Sequence, residues 1–176
     1  MRPPVILGLD LAEVTGWAVG PPGERPEFGA RRWDYEDPEG KIFSDLATWL
    51  EMMIGQRQVT HVFTEAPFMG KDVRVSTRLM GMRAITRMVA WESGARFEEL
   101  HIATIAKFFT GVGKFRGGSK EKKAVTIAMA KAQGYDVGKD HNKADGIAVW
   151  TLGEATAFPA IAAKRGIGPL FLAGHS

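Results

Sequence analysis

The sequence predicts an α/β domain. Its sheet is mixed and five-stranded, with three strands in an antiparallel meander followed by two parallel strands, and helices lie on its faces. Two observations carry this. Strand-length runs fall at Val5–Asp10, Trp17–Gly20 and Phe28–Tyr35, joined only by short turn-rich pieces, which is the pattern of a meander. Two further runs, Val59–Ala66 and Ala95–Ile102, each follow a segment with helical spacing, which is the connection a parallel crossover needs.

The elements follow in order. VILGLD is a short apolar run of the kind buried in a sheet. AEVTG reads as a tight connection and WAVG as the second strand, after which proline and glycine punctuate Pro21–Glu27. FGARRWDY is the third strand. Glu36–Gly55 reads as a helix, because Ile42, Phe43, Leu46, Trp49, Leu50 and Met53 fall on one face and Gly55 is a natural stop. VTHVFTEA is the fourth strand. A long helix over about Val75–Ser93 presents Leu79, Met82, Ile85, Met88 and Val89 inward and ends at Gly94. ARFEELHI is the fifth strand and ATIAKFF a short helix. GVGKFRGGSKEKK reads as a loop rich in glycine and lysine. Lys122–Gln133 is helical, as is Ala144–Ala163, which breaks or ends near Pro159.

A chain of 176 residues suits a single domain over 1–176 with a real core. The absence of cysteine excludes disulfides, a thiolate nucleophile and a Cys-ligated zinc. No apolar run is long enough to span a membrane. The opening MRPPVILGLD enters a strand at once, with no signal-peptide pattern, so a cytoplasmic protein is expected, bacterial or phage-encoded. The net charge of +3 hides an asymmetry: residues 1–65 hold 6 basic and 11 acidic groups, and residues 71–131 hold 13 basic and 5 acidic. A basic surface beside an acidic site suits a phosphodiester polyanion.

Three carboxylates sit at the edges of apolar runs: Asp10 ends the first strand, Glu65 lies at the end of the fourth, and Asp145 opens the last long helix. Buried strands do not normally end in carboxylates unless something cationic waits there, and hard oxygen ligands suit a hard divalent ion such as Mg²⁺ rather than zinc. His141, four residues before Asp145, would share its helix face as a metal ligand or a base, or else lie exposed just ahead of the helix. Gly111, Gly113, Gly117 and Gly118 permit close approach of backbone to a phosphate.

Four segments, in order, resemble the RuvC family of Holliday-junction resolvases, which have a ribonuclease H-like fold. They are ILGLDLAEVTGWAVG (Ile6–Gly20), TEAPFMGKD (Thr64–Asp72), TGVGKFRGGSKEKKAV (Thr110–Val125) and HNKADGIAVW (His141–Trp150). The resemblance implies a homodimer that binds a four-way DNA junction and nicks two strands symmetrically. It implies two Mg²⁺ per site, with Mn²⁺ able to substitute, and Asp10, Glu65 and Asp145 as ligands. Phe68 takes the place of the family's aromatic wedge. Lys122 falls nearest the family's catalytic lysine, with Lys120 and Lys123 close by. DNA contacts are expected from Lys71, Arg74 and Arg78 at the start of the long helix and from Lys114, Arg116, Lys120 and Lys123 around the glycine-rich loop.

The sequence also departs from the family pattern. Leu11-Ala12 replaces the Pro-Gly that follows the first Asp, and the turn is one residue shorter. Asn142 stands where a fourth acid is expected, so His141, Asp140 and Asn142 compete for that place. Pro67 stiffens the approach to Phe68. Other readings are a less selective nuclease of the same fold acting on flaps, forks or RNA, and a catalytically idle nucleic-acid-binding module. A nucleotide-binding fold of the actin or sugar-kinase kind would need a second, duplicated domain, for which 176 residues leave no room.

Overall fold

A computed structural model of the chain describes residues 3–66 and 72–165. The elements are β1 (Ile6–Asp10), β2 (Val14–Gly20), β3 (Glu27–Arg32), α1 (Glu39–Arg57), β4 (His61–Glu65), α2 (Val73–Glu92), β5 (Arg96–Leu100), α3 (Ile102–Thr110), α4 (Gly118–Ala132), α5 (His141–Ala157) and α6 (Pro159–Lys164). The sheet order is β3-β2-β1-β4-β5. β1 pairs antiparallel with β2 and parallel with β4, β2 pairs antiparallel with β3, and β4 pairs parallel with β5. The meander and the two parallel crossovers are therefore those the sequence predicts.

Period-two alternation splits the core into two layers. Leu7, Leu9, Val19 and Val62 face α1 and α2, where they meet Leu46, Leu50, Met82 and Val89. Ile6, Ala18 and Phe63 face the other way, onto Ile147, Trp150, Ile105 and Phe109 of α5 and α3. Asp10 and Glu65 lie an even number of residues from Ile6 and Phe63. Alternation therefore turns both carboxylates toward the α5 face.

Helix α5 lies unusually close to the sheet. A Cβ at Gly8 would fall 2.4 Å from the Trp150 nitrogen, one at Gly16 1.8 Å from the Asn142 carbonyl oxygen, and one at Gly146 2.4 Å from the Trp17 nitrogen. Only glycine permits backbone to meet backbone in this way. Every residue of α5 from Gly146 to Glu154 is buried.

Element ends differ from the sequence reading for identifiable reasons. β2 begins at Val14, because Gly16 is a strand residue paired with Asp10 and Ala30 rather than part of a turn. β3 stops at Arg32, and Trp33 turns inward with its indole N–H donating to Thr15 Oγ1 at 2.8 Å. α1 runs through Gly55 to Arg57. It ends at left-handed Gln58 (φ 53°), where the Val59 N–H bonds the Ile54 carbonyl at 3.0 Å and both side chains are buried. α4 begins at Gly118, earlier than Lys122, with the Glu121 carboxylate accepting the Gly117 N–H at 2.6 Å. Lys120 thus stands on a helix and not in a loop. α5 begins at His141 behind Asp140, which caps it through the Asn142 N–H. It breaks at Phe158, and Pro159 opens α6. Met88 is exposed and does not join the inner face of α2.

At the opposite end from the three carboxylates, α5 and α6 are tied to the β2–β3 turn. Glu154 is fully buried, accepts the Gly23 N–H at 2.6 Å, and meets Arg165 Nη1 at 3.0 and 3.1 Å. The same Arg165 nitrogen donates to the Glu24 carbonyl at 2.9 Å.

Candidate active site

β1 and β4 are parallel, with Leu9 opposite Thr64, so the next residues, Asp10 and Glu65, end neighbouring central strands side by side. Asp145 reaches the same place from α5. Asp10 pairs in register with Gly16, and Gly16 touches α5 at Asn142 and Gly146, on either side of Asp145. Ligand sites of open α/β sheets form at this edge, outside the carboxyl ends of parallel strands.

All three carboxylates are half-buried, and none makes an ion pair or side-chain hydrogen bond among the described residues. Their electrostatics mark them as one group. Burial pushes the Asp10 carboxyl above its ordinary value, against the pull of Lys122 and Lys123. Burial, then the charges of Asp10 and Asp145, push Glu65 up to about 8, with Lys122 opposing. Burial, Asp10 and, more weakly, Asp140 push Asp145 up to about 7, with Lys122 and Lys123 opposing. Carboxyls that hold protons near neutrality for lack of a cationic partner suit a hard cation. The donor set is all oxygen and all anionic, so it fits Mg²⁺ or Mn²⁺. As the side chains stand, no three His, Asp or Glu groups among the described residues close on a common point.

The remaining expected residues divide. Lys122 is half-buried and its charge acts on all three carboxylates, whereas the charge of exposed Lys123 acts on Asp10 and Asp145. Lys120 figures in none of these interactions and is exposed. His141 is half-buried at the first turn of α5, and burial and Lys123 lower its pKa, so the ring is neutral at pH 7. Asp140 is engaged as the helix cap, accepting both the backbone and side-chain nitrogens of Asn142 at 2.9 and 3.0 Å. Of the three contenders for a fourth ligand, this leaves His141 free of that pairing.

Arg74, Lys114 and Arg116 are exposed. Arg78 is held within the protein: it bonds Glu39 and the Tyr35 carbonyl, both at 3.3 Å, and lies 4.3 Å over the Tyr35 ring. Phe68 and Lys71 lie outside the described residues. Sequence reasoning missed Gly8, Gly16 and Gly146, whose function is to admit α5. The signal was present: Gly8 and Gly16 both occupy the sheet face shared with Asp10.

The sheet order and helix placement are those of a ribonuclease H-like domain. No family model matches the sequence, and no curated protein matches it. Solved structures do. Thermus thermophilus RuvC in complex with a Holliday-junction substrate is 11% identical, with a TM-score of 0.67 over 93% of this chain and 97% of that one. A second Thermus thermophilus RuvC structure is 13% identical, with a TM-score of 0.63 over the same shares. The yeast mitochondrial Holliday junction resolvase Ydc2 is 9% identical, with a TM-score of 0.58 over 93% and 85%. At these identities the likeness is one of fold, and the chain has the fold of the RuvC-like resolvases. No helix among the described residues is long and apolar enough to cross a membrane.

Proposed function

We propose that this chain is a metal-dependent, structure-selective DNA endonuclease that resolves four-way junctions by paired symmetric nicks. Its setting would be the bacterial cytoplasm. The observation that carries the reading is the trio of half-buried, unpaired carboxylates at the ends of β1, β4 and the start of α5, faced by Lys122, in a RuvC-like fold.

Asp10, on the central strand, would hold both ions of a Mg²⁺ pair, and Glu65 and Asp145 mainly one each. When bound, such a pair activates the attacking water and takes up charge on the scissile phosphate and leaving oxygen; Mn²⁺ would serve in its place. Lys122 supplies a fixed positive charge to the scissile phosphate. Neutral His141 accepts a proton or completes the ligand set. Arg74, Lys114, Arg116, Lys120 and Lys123 contact phosphates along the arms, with Lys71 and the aromatic ring of Phe68 meeting the junction near its centre.

Paired nicks require two sites. On α2, Val73, Met80, Met88 and Trp91 are 76, 49, 44 and 83% exposed along one stripe. An apolar stripe on a surface helix suits a self-complementary contact, in which two antiparallel α2 helices set Trp91 of each copy toward Val73 of the other.

The test pairs a labelled four-way junction with a matched linear duplex, in Mg²⁺ and in EDTA, beside Asp10→Asn. Symmetric nicks in the junction alone, lost in EDTA and in Asp10→Asn, are expected. Trp91→Glu should yield monomers with uncoupled nicks. Equal cutting of duplex would favour the less selective nuclease, and tight junction binding without cutting in Mg²⁺ or, in a parallel reaction, in Mn²⁺ would favour the idle module.

A further inference from the structure

The two carboxylates that come from different layers of the fold are Asp10, on the sheet, and Asp145, on α5. Between them, α5 meets the sheet backbone to backbone at Gly16 and Gly146. Gly16 is the register partner of Asp10, and Gly146 directly follows Asp145. A Cβ on Gly16 would fall 1.8 Å from the Asn142 oxygen and 3.1 Å from the Gly146 nitrogen; one on Gly146 would fall 2.4 Å from the Trp17 nitrogen and 2.7 Å from the Gly16 carbonyl carbon. The opposing atoms are all main chain, so none can swing aside. Added bulk has to lift the N-terminal half of α5 from the sheet by roughly 1 Å, twice the tolerance of a metal or catalytic constellation. Farther along α5, Gly153 makes a different kind of contact: its Cβ would meet the Phe63 ring at 2.5 Å, and that side chain can turn.

We propose that the Gly16–Gly146 contact sets the gap between Asp10 and Asp145, making both glycines positioning residues of the metal site. The inference rests on the metal-dependent reading above. Mg²⁺ and Mn²⁺ demand narrow oxygen geometry, so a gap wider by about 1 Å costs affinity without removing a ligand. The proposal also gives Asp145 a required length: one more methylene is too long for the native gap and nearer right for a widened one.

The experiment is calorimetric titration of the full chain with Mn²⁺ alone, with folded content checked by circular dichroism. Gly146→Ala should raise the Kd about 10-fold or more, the range seen when a ligand's support is removed. Gly153→Ala, which also crowds α5, should lower the melting temperature yet leave Kd within about 3-fold, because the ligands stay in place. Asp145→Glu, which keeps the fold, should also raise Kd about 10-fold, and Gly146→Ala with Asp145→Glu should bind more tightly than either alone. If Gly146→Ala does not fold, Asp145→Glu decides: a Kd unchanged from the native chain means α5 adjusts freely and overturns the proposal. Equal Kd values for Gly146→Ala and Gly153→Ala overturn it as well. No Mn²⁺ uptake by the unaltered chain overturns the metal reading itself, and the inference with it.

Discussion

Closing a divalent ion on the three carboxylates should expel protons, and the structure gives the count. With Glu65 pushed up to about 8 and Asp145 to about 7, some nine-tenths of the first and half of the second are protonated at pH 7. A carboxylate must be ionised to bind, so Mn²⁺ uptake at pH 7 should release about 1.4 protons from these two groups. At pH 9 both are ionised beforehand, and the release should fall to about 0.1. The affinity should therefore rise about 50-fold from pH 6 to 7, about tenfold from pH 7 to 8, and level off near 9. Titration calorimetry in two buffers of different ionisation enthalpy reads the proton count directly. Asp145→Asn should remove at least half a proton from it, since the Asp145 charge also helps hold the proton on Glu65, besides weakening binding. Fewer than about 0.3 protons at pH 7, or a count unchanged at pH 9, would refute the reasoning: either the acids titrate normally or they are not the ligands.

Other consequences are independent of that count. In EDTA the raised carboxyls favour the fold only while protonated. Their contribution is whole below the ordinary values of 3.8 and 4.5 and is lost as pH rises through about 7 and 8, so the melting temperature should fall across that window, and saturating Mg²⁺ should abolish the fall. Arg165→Ala should cost about 3 kcal/mol, or about 6–12 °C in a chain of this size, because it strands the buried Glu154 with only the Gly23 N–H. Replacing Glu154 and Arg165 together by Leu and Met should recover most of that loss in a melting experiment. Arg74→Ala should reduce the salt dependence of junction binding by about one unit of slope, while Arg78→Ala, whose side chain is committed to Tyr35 and Glu39, should lower the melting temperature and leave the slope unchanged.

β1, β2 and β4 were legible as apolar runs bounded by punctuation, and the order of runs and helices dictates the meander and crossovers. The acids Asp10, Glu65 and Asp145 were legible because a carboxylate at the end of an apolar run is rare without a purpose. What escaped depends on tertiary contact. Gly16 looks like a turn residue in AEVTG, yet it lies inside β2, and its missing side chain is explained only by α5 passing above it. GGSK looks like loop, yet Glu121 folds back onto Gly117 and starts α4 there. Lys120, Lys122 and Lys123 are indistinguishable in a string of lysines; only in the fold do the charges of Lys122 and Lys123 act on the acids. Arg78 reads as a phosphate contact until Tyr35, far away in sequence, arrives beneath it.

The dispersal of the three carboxylates also orders events in time. Asp10 belongs to the first strand and Glu65 to the fourth, while Asp145 lies on a helix that follows every strand in the chain. Contacts so distant in sequence are the last to become favourable, since the loops between them must close first. During synthesis the chain can complete its meander and its first crossover with two acids at the sheet's edge and no third to join them. The trio of carboxylates comes together only when α5 settles on Gly8 and Gly16. Under the function proposed above, a nascent or half-folded copy would leave DNA uncut, and competence to cleave would arrive together with the finished fold.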